Sequence, residues 1–446
     1  MDLYQVASLL ITLAALFNYA NYKWLKLPTT IGIMAMALVL SLIVLAIGQV
    51  FPIVEQTAEA LLAEVDFSKA LMNGMLGLLL FAGALHVDLG SLTAQKGAIA
   101  LLATVGVLVS TFIVGGAMFF VLPLLGLHLS LIHCLLFGAL IAPTDPIAVL
   151  GVLKTLAAPK SLETKIAGES LFNDGVGVVV FLALLGVAGL NPHHTGEFTA
   201  STVVVTFVQE AFGGAAFGGM IGWLAYLLLK NADDYQVEIL ISLATVMGGY
   251  ALAQALHLSG AIAMVVAGIL LGNQGRAFAM SERTRRHLDT FWELVDEILN
   301  AVLFSLIGFE MLVLNLDPTY VIAGALAVPI TLIARLISVG IPMQLIPRVR
   351  RTPHAVKVLT WGGLRGGISV ALALWLGGLL GQEHRMQRDL LLVMTYVVVV
   401  FSIVVQGLTV GTLIKKLGLR EDGREGEDGG DSDEAPAHDP FPAPDG

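Results

Sequence analysis

The sequence predicts an all-α polytopic membrane protein with thirteen transmembrane helices. Three observations carry this prediction. Of 446 residues, 57% are hydrophobic and 13% charged, and the mean hydropathy is +0.85; that balance excludes a soluble globular domain. Apolar stretches long enough to cross a bilayer recur along the whole chain. Basic residues alternate between the segments that join them. With the N-terminus outside, the inside loops carry nineteen Lys and Arg, from Lys23 to Arg424, and the outside loops carry only Lys69, Arg385 and Arg388. This asymmetry requires an odd number of spans and a cytoplasmic C-terminus.

In order, the spans fall at roughly 3–22, 28–48, 68–86, 97–122, 130–153, 164–188, 199–229, 236–256, 260–272, 291–314, 319–346, 355–380 and 389–414. Residues 1–20 lack a basic leader region and a small-residue cleavage site, so they read as a retained first span. The seventh span is long enough to tilt. It carries Gly214, Gly218 and Gly222 at four-residue spacing, a close-packing face for another helix. The ninth is short and weakened by Gly260 and Gly268. Beyond the last span, Glu421–Gly446 holds ten acids against Arg424 alone, which is nearly all of the net charge of −10. The expected organisation is a membrane domain at 1–418 and an acidic, disordered cytoplasmic tail at 419–446, solvated or regulatory. No basic face for nucleic acid remains, and the single cysteine, Cys134, allows no internal disulfide.

The chemistry concentrates in Gly168-Glu169-Ser170-Leu171-Phe172-Asn173-Asp174-Gly175 of the sixth span. On a helix Glu169 and Asn173 are four apart, as are Ser170 and Asp174, so the four project to one side. A charge near the bilayer centre costs about 2.5–3.5 kcal/mol on insertion scales, so these groups must face protein or a hydrated cavity. In the fifth span Pro143-Thr144-Asp145-Pro146 places two prolines around a Thr-Asp pair. Each proline removes a backbone donor and disfavours helix before it, so a break is expected. Asp145 then either caps the resumed helix or serves a site. In the twelfth span Gly362, Gly363, Gly366 and Gly367 surround Arg365, a second expected break in which the arginine balances exposed carbonyl ends. The two breaks are seven spans apart and run antiparallel. Broken helices at matching positions of inverted halves are the sequence pointer to a secondary transporter with a midplane site. Arg335, within the eleventh span, needs a buried carboxylate; Glu169 is expected there, with Glu310 the competitor.

Several function classes find no support. There is no paired-His or Cys/His metal spacing, no dinucleotide fingerprint, no phosphate loop and no catalytic triad. An enzyme is not expected, and no cofactor.

Glu169-Ser170-x-x-Asn173-Asp174, Thr144-Asp145-Pro146, Ala334-Arg335 and Gly362-Gly363-Leu364-Arg365-Gly366 occur in the order seen in the monovalent cation:proton antiporter-1 family. The chain resembles its NhaP-type sodium/proton antiporters over about residues 1–418. The resemblance implies thirteen spans, two inverted repeats with crossed discontinuous helices (the NhaA-like antiporter fold), a homodimer, and a bacterial inner-membrane location with a role in pH homeostasis. It implies that Asp174 binds the cation and the proton, and that Asn173 replaces the first acid of the Asp-Asp pair of electrogenic relatives. Thr144, Asp145, Ser170 and Glu169 would line or order the site. Arg335 would pair with the glutamate and Arg365 would steady the crossing. The ion would be Na+, with Li+ and K+ left open.

The residues themselves fit that expectation. A hard monovalent cation needs oxygen ligands, which Asp174, Asp145, Ser170, Thr144 and freed carbonyls supply. Competition for one carboxylate couples the two fluxes, and because Asn173 does not ionise it suggests one proton per cation. A cation channel or a sodium-coupled organic-anion symporter on the same fold are the other transport readings. A structural or signalling protein leaves three buried acids and two buried arginines unexplained.

Overall fold

The computed structural model describes residues 3–63, 67–156, 158–190, 200–232, 234–276, 280–345, 354–381 and 384–419. The acidic tail beyond Leu419 lies outside them, as do the segments 191–199 and 346–353. Among the described residues all regular structure is helical apart from one isolated bridge. In chain order the helices are α1 (Leu3–Ala20), α2 (Thr29–Gly48), α3 (Pro52–Ala63), α4 (67–85), α5 (Leu89–Ala94), α6 (Lys96–Leu125), α7 (Leu131–Ile141), α8 (Ile147–Thr155), α9 (Lys160–Val187), α10 (Ala200–Lys230), α11 (Tyr235–Ala255), α12 (Gly260–Gly275), α13 (Glu282–Glu310), α14 (Pro318–Leu345), α15 (Ala355–Trp361), α16 (Gly367–Leu380) and α17 (Arg385–Lys416).

Eight helical stretches among the described residues are long and apolar enough to cross a membrane. α7, α12 and α16 are shorter apolar helices. The expected spans fall on helical stretches, the fifth and twelfth each in two pieces, and the sequence reading missed α3. That helix follows α2 after a short turn, and its sequence holds Glu55, Gln56, Thr57 and Glu59, which give it the composition of a loop.

Local chemistry sets the boundaries. Asp88, Asp234, Ser259 and Ser281 each precede a helix and accept a backbone N–H from its first turn, which satisfies a donor the helix leaves free. Gly126, with φ 73°, ends the turn that closes α6.

The helices pack in two groups. One joins α1, α2 and α13, and packs α4 and α10 on α12 with α11 beside them. The other joins α6 to α7 and α14 and α16 to α17, with α9 reaching both groups. The glycine face of α10 is spent inside the chain. A Cβ on Gly218 would stand 2.3 Å from the Ala263 carbonyl oxygen of α12, and one on Gly214 2.7 Å from that of Ser259. The backbones therefore touch only because no side chain intervenes. The outward faces of α1, α2, α10 and α11 carry exposed Leu9, Ile43, Phe212, Trp223 and Leu240, the apolar surface expected toward lipid.

Candidate ion site at a crossing of two broken helices

Both expected breaks are present. Residues 142–146 separate α7 from α8, and residues 362–366 separate α15 from α16. The two extended pieces cross and bond as a single antiparallel bridge between Asp145 and Leu364, with the Asp145 N–H donating to the Leu364 carbonyl at 2.8 Å. Unwound backbone is tolerated here because each piece supplies the other's missing partner.

The charges at the crossing follow from the helix ends. The Arg365 guanidinium donates to the carbonyls of Ala142 at 2.5 Å and Pro143 at 2.9 Å, the C-terminal end of α7, where a cation is favourable. Its backbone N–H donates to the Ser402 hydroxyl at 2.9 Å, and Ser402 donates on to Gln406, which holds the Trp361 carbonyl. Asp145 does the converse. Its carboxylate accepts the Ile147 N–H at 2.9 Å at the start of α8, and it lies against Gly366, one residue before α16. Two helix N-termini thus converge on one acid. Asp145 is both of the things the sequence left open, a cap and a wall of the cavity.

The four polar residues of α9 do not act as one stripe. Asn173 Nδ2 donates to Thr144 Oγ1 at 2.8 Å, and Asn173 Oδ1 accepts the Thr144 N–H freed by the break at 3.3 Å. Ser170 Oγ lies 3.0 Å from the same Thr144 hydroxyl. Glu169 turns away from the cavity and pairs with Arg335 at 2.5 Å, both nearly fully buried; Arg335 Nε also donates to the Leu359 carbonyl. Glu310 is not the partner. Asp174 alone of the four lines the cavity. It makes no ion pair among the described residues and lines the same cavity as Asp145. The arc from position 169 to 174 is wide enough for these three directions, because residues five apart lie well over a quarter turn from each other.

The cavity has a volume of about 1380 Å3 and ends at Thr144, Asp145 and Asp174. Lys26, Asp88, Lys154, Lys160 and Lys415 stand at its mouth, the end of the bundle where the basic loops gather. Past Asp174 along α9, Val176, Val178, Val180, Phe181 and Leu185 are buried in an apolar cluster with residues of α7, α14, α16 and α17.

Sequence reasoning missed several members of this site. Ser369, in the first turn of α16, lines the cavity with an unpaired buried hydroxyl. Asp296 and Asn300 of α13 line its opposite wall. The last two are four apart within an apolar span, the same signal that drew attention to α9. Ser402 and Gln406, which brace the second break, gave no signal beyond their own four-residue spacing.

Residues 9–416 match the sequence family described as the transmembrane sodium/hydrogen exchanger. This chain belongs to that family. It is 50% identical over 414 residues to the Na(+)/H(+) antiporter NhaP of Pseudomonas aeruginosa, covering 91% of this chain and 95% of that one. It is 35% identical to the Na(+)/H(+) antiporter NhaH of Halobacillus dabanensis, over 89% of this chain and 94% of the relative. The solved structure of the sodium proton antiporter MjNhaP1 from Methanocaldococcus jannaschii superposes with a TM-score of 0.74 over 94% of this chain and 99% of that chain, at 20% identity. The shared architecture is therefore that of an NhaP antiporter, and the protein is a multi-span membrane protein of a transporter family.

The crossing yields a first expected result. A Cβ on Gly366 would stand 2.4 Å from Asp145 Oδ2 and 2.6 Å from its Cβ. Gly366→Ala should cost about 1–3 kcal/mol, as overpacking does, and displace Asp145 from the cavity wall. The bundle should still fold, with a lowered melting temperature and most transport lost. Normal melting and normal transport would show that the two breaks do not depend on this close approach.

Proposed function

We propose that the protein is a secondary active antiporter of the bacterial cytoplasmic membrane that exchanges Na+ for H+, one for one. In this reading residues 1–418 form a single transport domain of thirteen spans, built as two inverted repeats of the NhaA-like kind, with the N-terminus outside. The tail from 419 onward is cytoplasmic. The cavity faces the cytoplasm, so the conformation is inward-open. The names of the relatives support Na+; an oxygen cradle of this kind also suits Li+ or K+.

One observation carries the mechanism: Asp174 is the site carboxylate at the end of the cavity without a committed partner. Glu169 is held by Arg335, and Asp145 accepts the Ile147 N–H at the start of α8 and lies against Gly366. Asp174 is left to bind either a proton or a cation, with Thr144, Ser170 and Asp145 as neighbouring oxygens. Asn173 cannot ionise, and its amide already braces Thr144. Each exchange then moves one positive charge in each direction. Rocking of the group that bears the crossing against the α1, α2 and α13 group would alternate access. Against a channel stands the buried apolar cluster that follows Asp174 along α9. Against an organic-anion symporter stands the set of acids lining the cavity near Asp174.

The homodimer belongs to the same proposal. In this reading the dimer contact lies on the first half of each repeat, helices α1, α2 and α4 with α11, α12 and α13, away from the crossing; the glycine face of α10, the other candidate, packs on α12 within the chain. A mass measurement in native-like bilayers should give two copies; monomers alone would contradict it.

Competition makes a pH prediction. Protons and cations share Asp174, so the apparent affinity for Na+ should weaken as pH falls below the point where the site protonates. The slope should approach about tenfold per pH unit. Initial rates in proteoliposomes across a pH series test this. An affinity flat with pH on the acid side would sink the shared-carboxylate mechanism.

A further inference from the structure

The cavity has a second polar cluster, on the wall facing the crossing. Asp296 and Asn300 sit one helical turn apart on α13 and both line it. Asn300 is 3% exposed, and its amide oxygen has no hydrogen-bond partner among the described residues. The half-buried Asp296 carboxylate lines the same cavity as Asp145 and Asp174, with Glu293 and Glu297 of its own helix also in the lining. The cavity's lysines sit on helix ends or in loops, whereas Asp296 and Asn300 lie in the middle of α13.

A buried amide oxygen left unpaired is unfavourable, and so is a set of acids gathered in one cavity. A monovalent cation resolves both, taking charge from Asp296 and an oxygen ligand from Asn300. We propose that Asp296 and Asn300 form a second, transient cation site, from which the ion passes across the cavity to Asp174. The proposal rests on the antiport reading for its direction of transfer, but not for the existence of the site. Its placement has a consequence for access: α13 belongs to the helix group that packs on α1 and α2, opposite the crossing. The ion is therefore collected on one group and transported on the other.

Two measurements test this. In proteoliposomes, Asp296→Asn should raise the apparent KM for Na+ roughly tenfold, the lower end of what a focused cleft charge contributes, with the maximal rate kept. Asn300→Ala should raise KM in the same direction without any change of charge. Glu282→Gln, an equal loss of charge at an exposed position of the same helix away from the cavity, should leave KM where it is. In equilibrium 22Na+ binding, the Asp174→Asn protein should retain weak binding that disappears when Asp296→Asn is added. A fall in maximal rate with KM unchanged would assign the pair a structural role and overturn the proposal. So would an equal rise in KM with Glu282→Gln, or 22Na+ binding in the Asp174→Asn protein that is indifferent to Asp296. Wild-type protein that binds 22Na+ at both sites but exchanges no protons would overturn the antiport reading and leave this site standing.

Discussion

Asp174→Asn should abolish exchange and leave a folded protein. Asparagine has nearly the shape of aspartate, so the packing of α9 against α12 is undisturbed. It neither titrates nor neutralises a cation, so both halves of the cycle are lost together. Asp174 makes no ion pair among the described residues that the substitution would break, so thermal stability should be unchanged or raised. Sodium-driven proton movement in proteoliposomes should fall to the level of empty vesicles, while the melting temperature in detergent holds. Residual exchange with a normal Na+ dependence would move the coupling site elsewhere, Asp145 being the nearest acid.

The second large effect concerns stability. Removing either partner of the Glu169–Arg335 pair strands a charge that is almost entirely buried. Glu169→Ala or Arg335→Ala should each cost about 3–5 kcal/mol, enough to lower the yield of folded protein sharply. Arg335 also supports the second break, since a Cβ on Gly363 would stand 2.6 Å from its Nε; the arginine fills the space behind the crossing. The double variant Glu169→Leu/Arg335→Met should recover much of the loss, because an apolar pair of similar volume carries no desolvation penalty. Thermal melts of the three variants decide this. If both single variants melt like the wild type, the pair has no structural role.

Much of the architecture was legible because the bilayer leaves few options. Apolar length and loop charge located helices wherever a span was continuous, and Pro143/Pro146 and the glycines around Arg365 located the two breaks. The Glu169–Arg335 pairing followed from the expense of an unpaired buried charge. The direction in which each side chain points was not legible. Glu169, Ser170, Asn173 and Asp174 share a flank of α9 in sequence, yet they serve an ion pair, the bracing of Thr144 and the cavity. That division depends on which helices lie beside α9, and spacing along one helix carries no such information. Asp296 and Asn300 escaped for a related reason. Their importance comes from standing opposite Asp145, a relation between helices far apart in the chain. The helix at Pro52–Ala63 was missed because its composition reads as a connecting loop.

The central claim is that one carboxylate, Asp174, alternates between one proton and one cation. The most direct test is the null point of exchange in proteoliposomes. The Na+ and H+ gradients are set to equal ratios across the membrane, and the membrane potential is then varied while internal pH is recorded. One-for-one exchange moves no net charge, so internal pH should stay constant at every potential. A pH change that follows the potential would show that more than one proton crosses per cation, and a single shared carboxylate could not account for it.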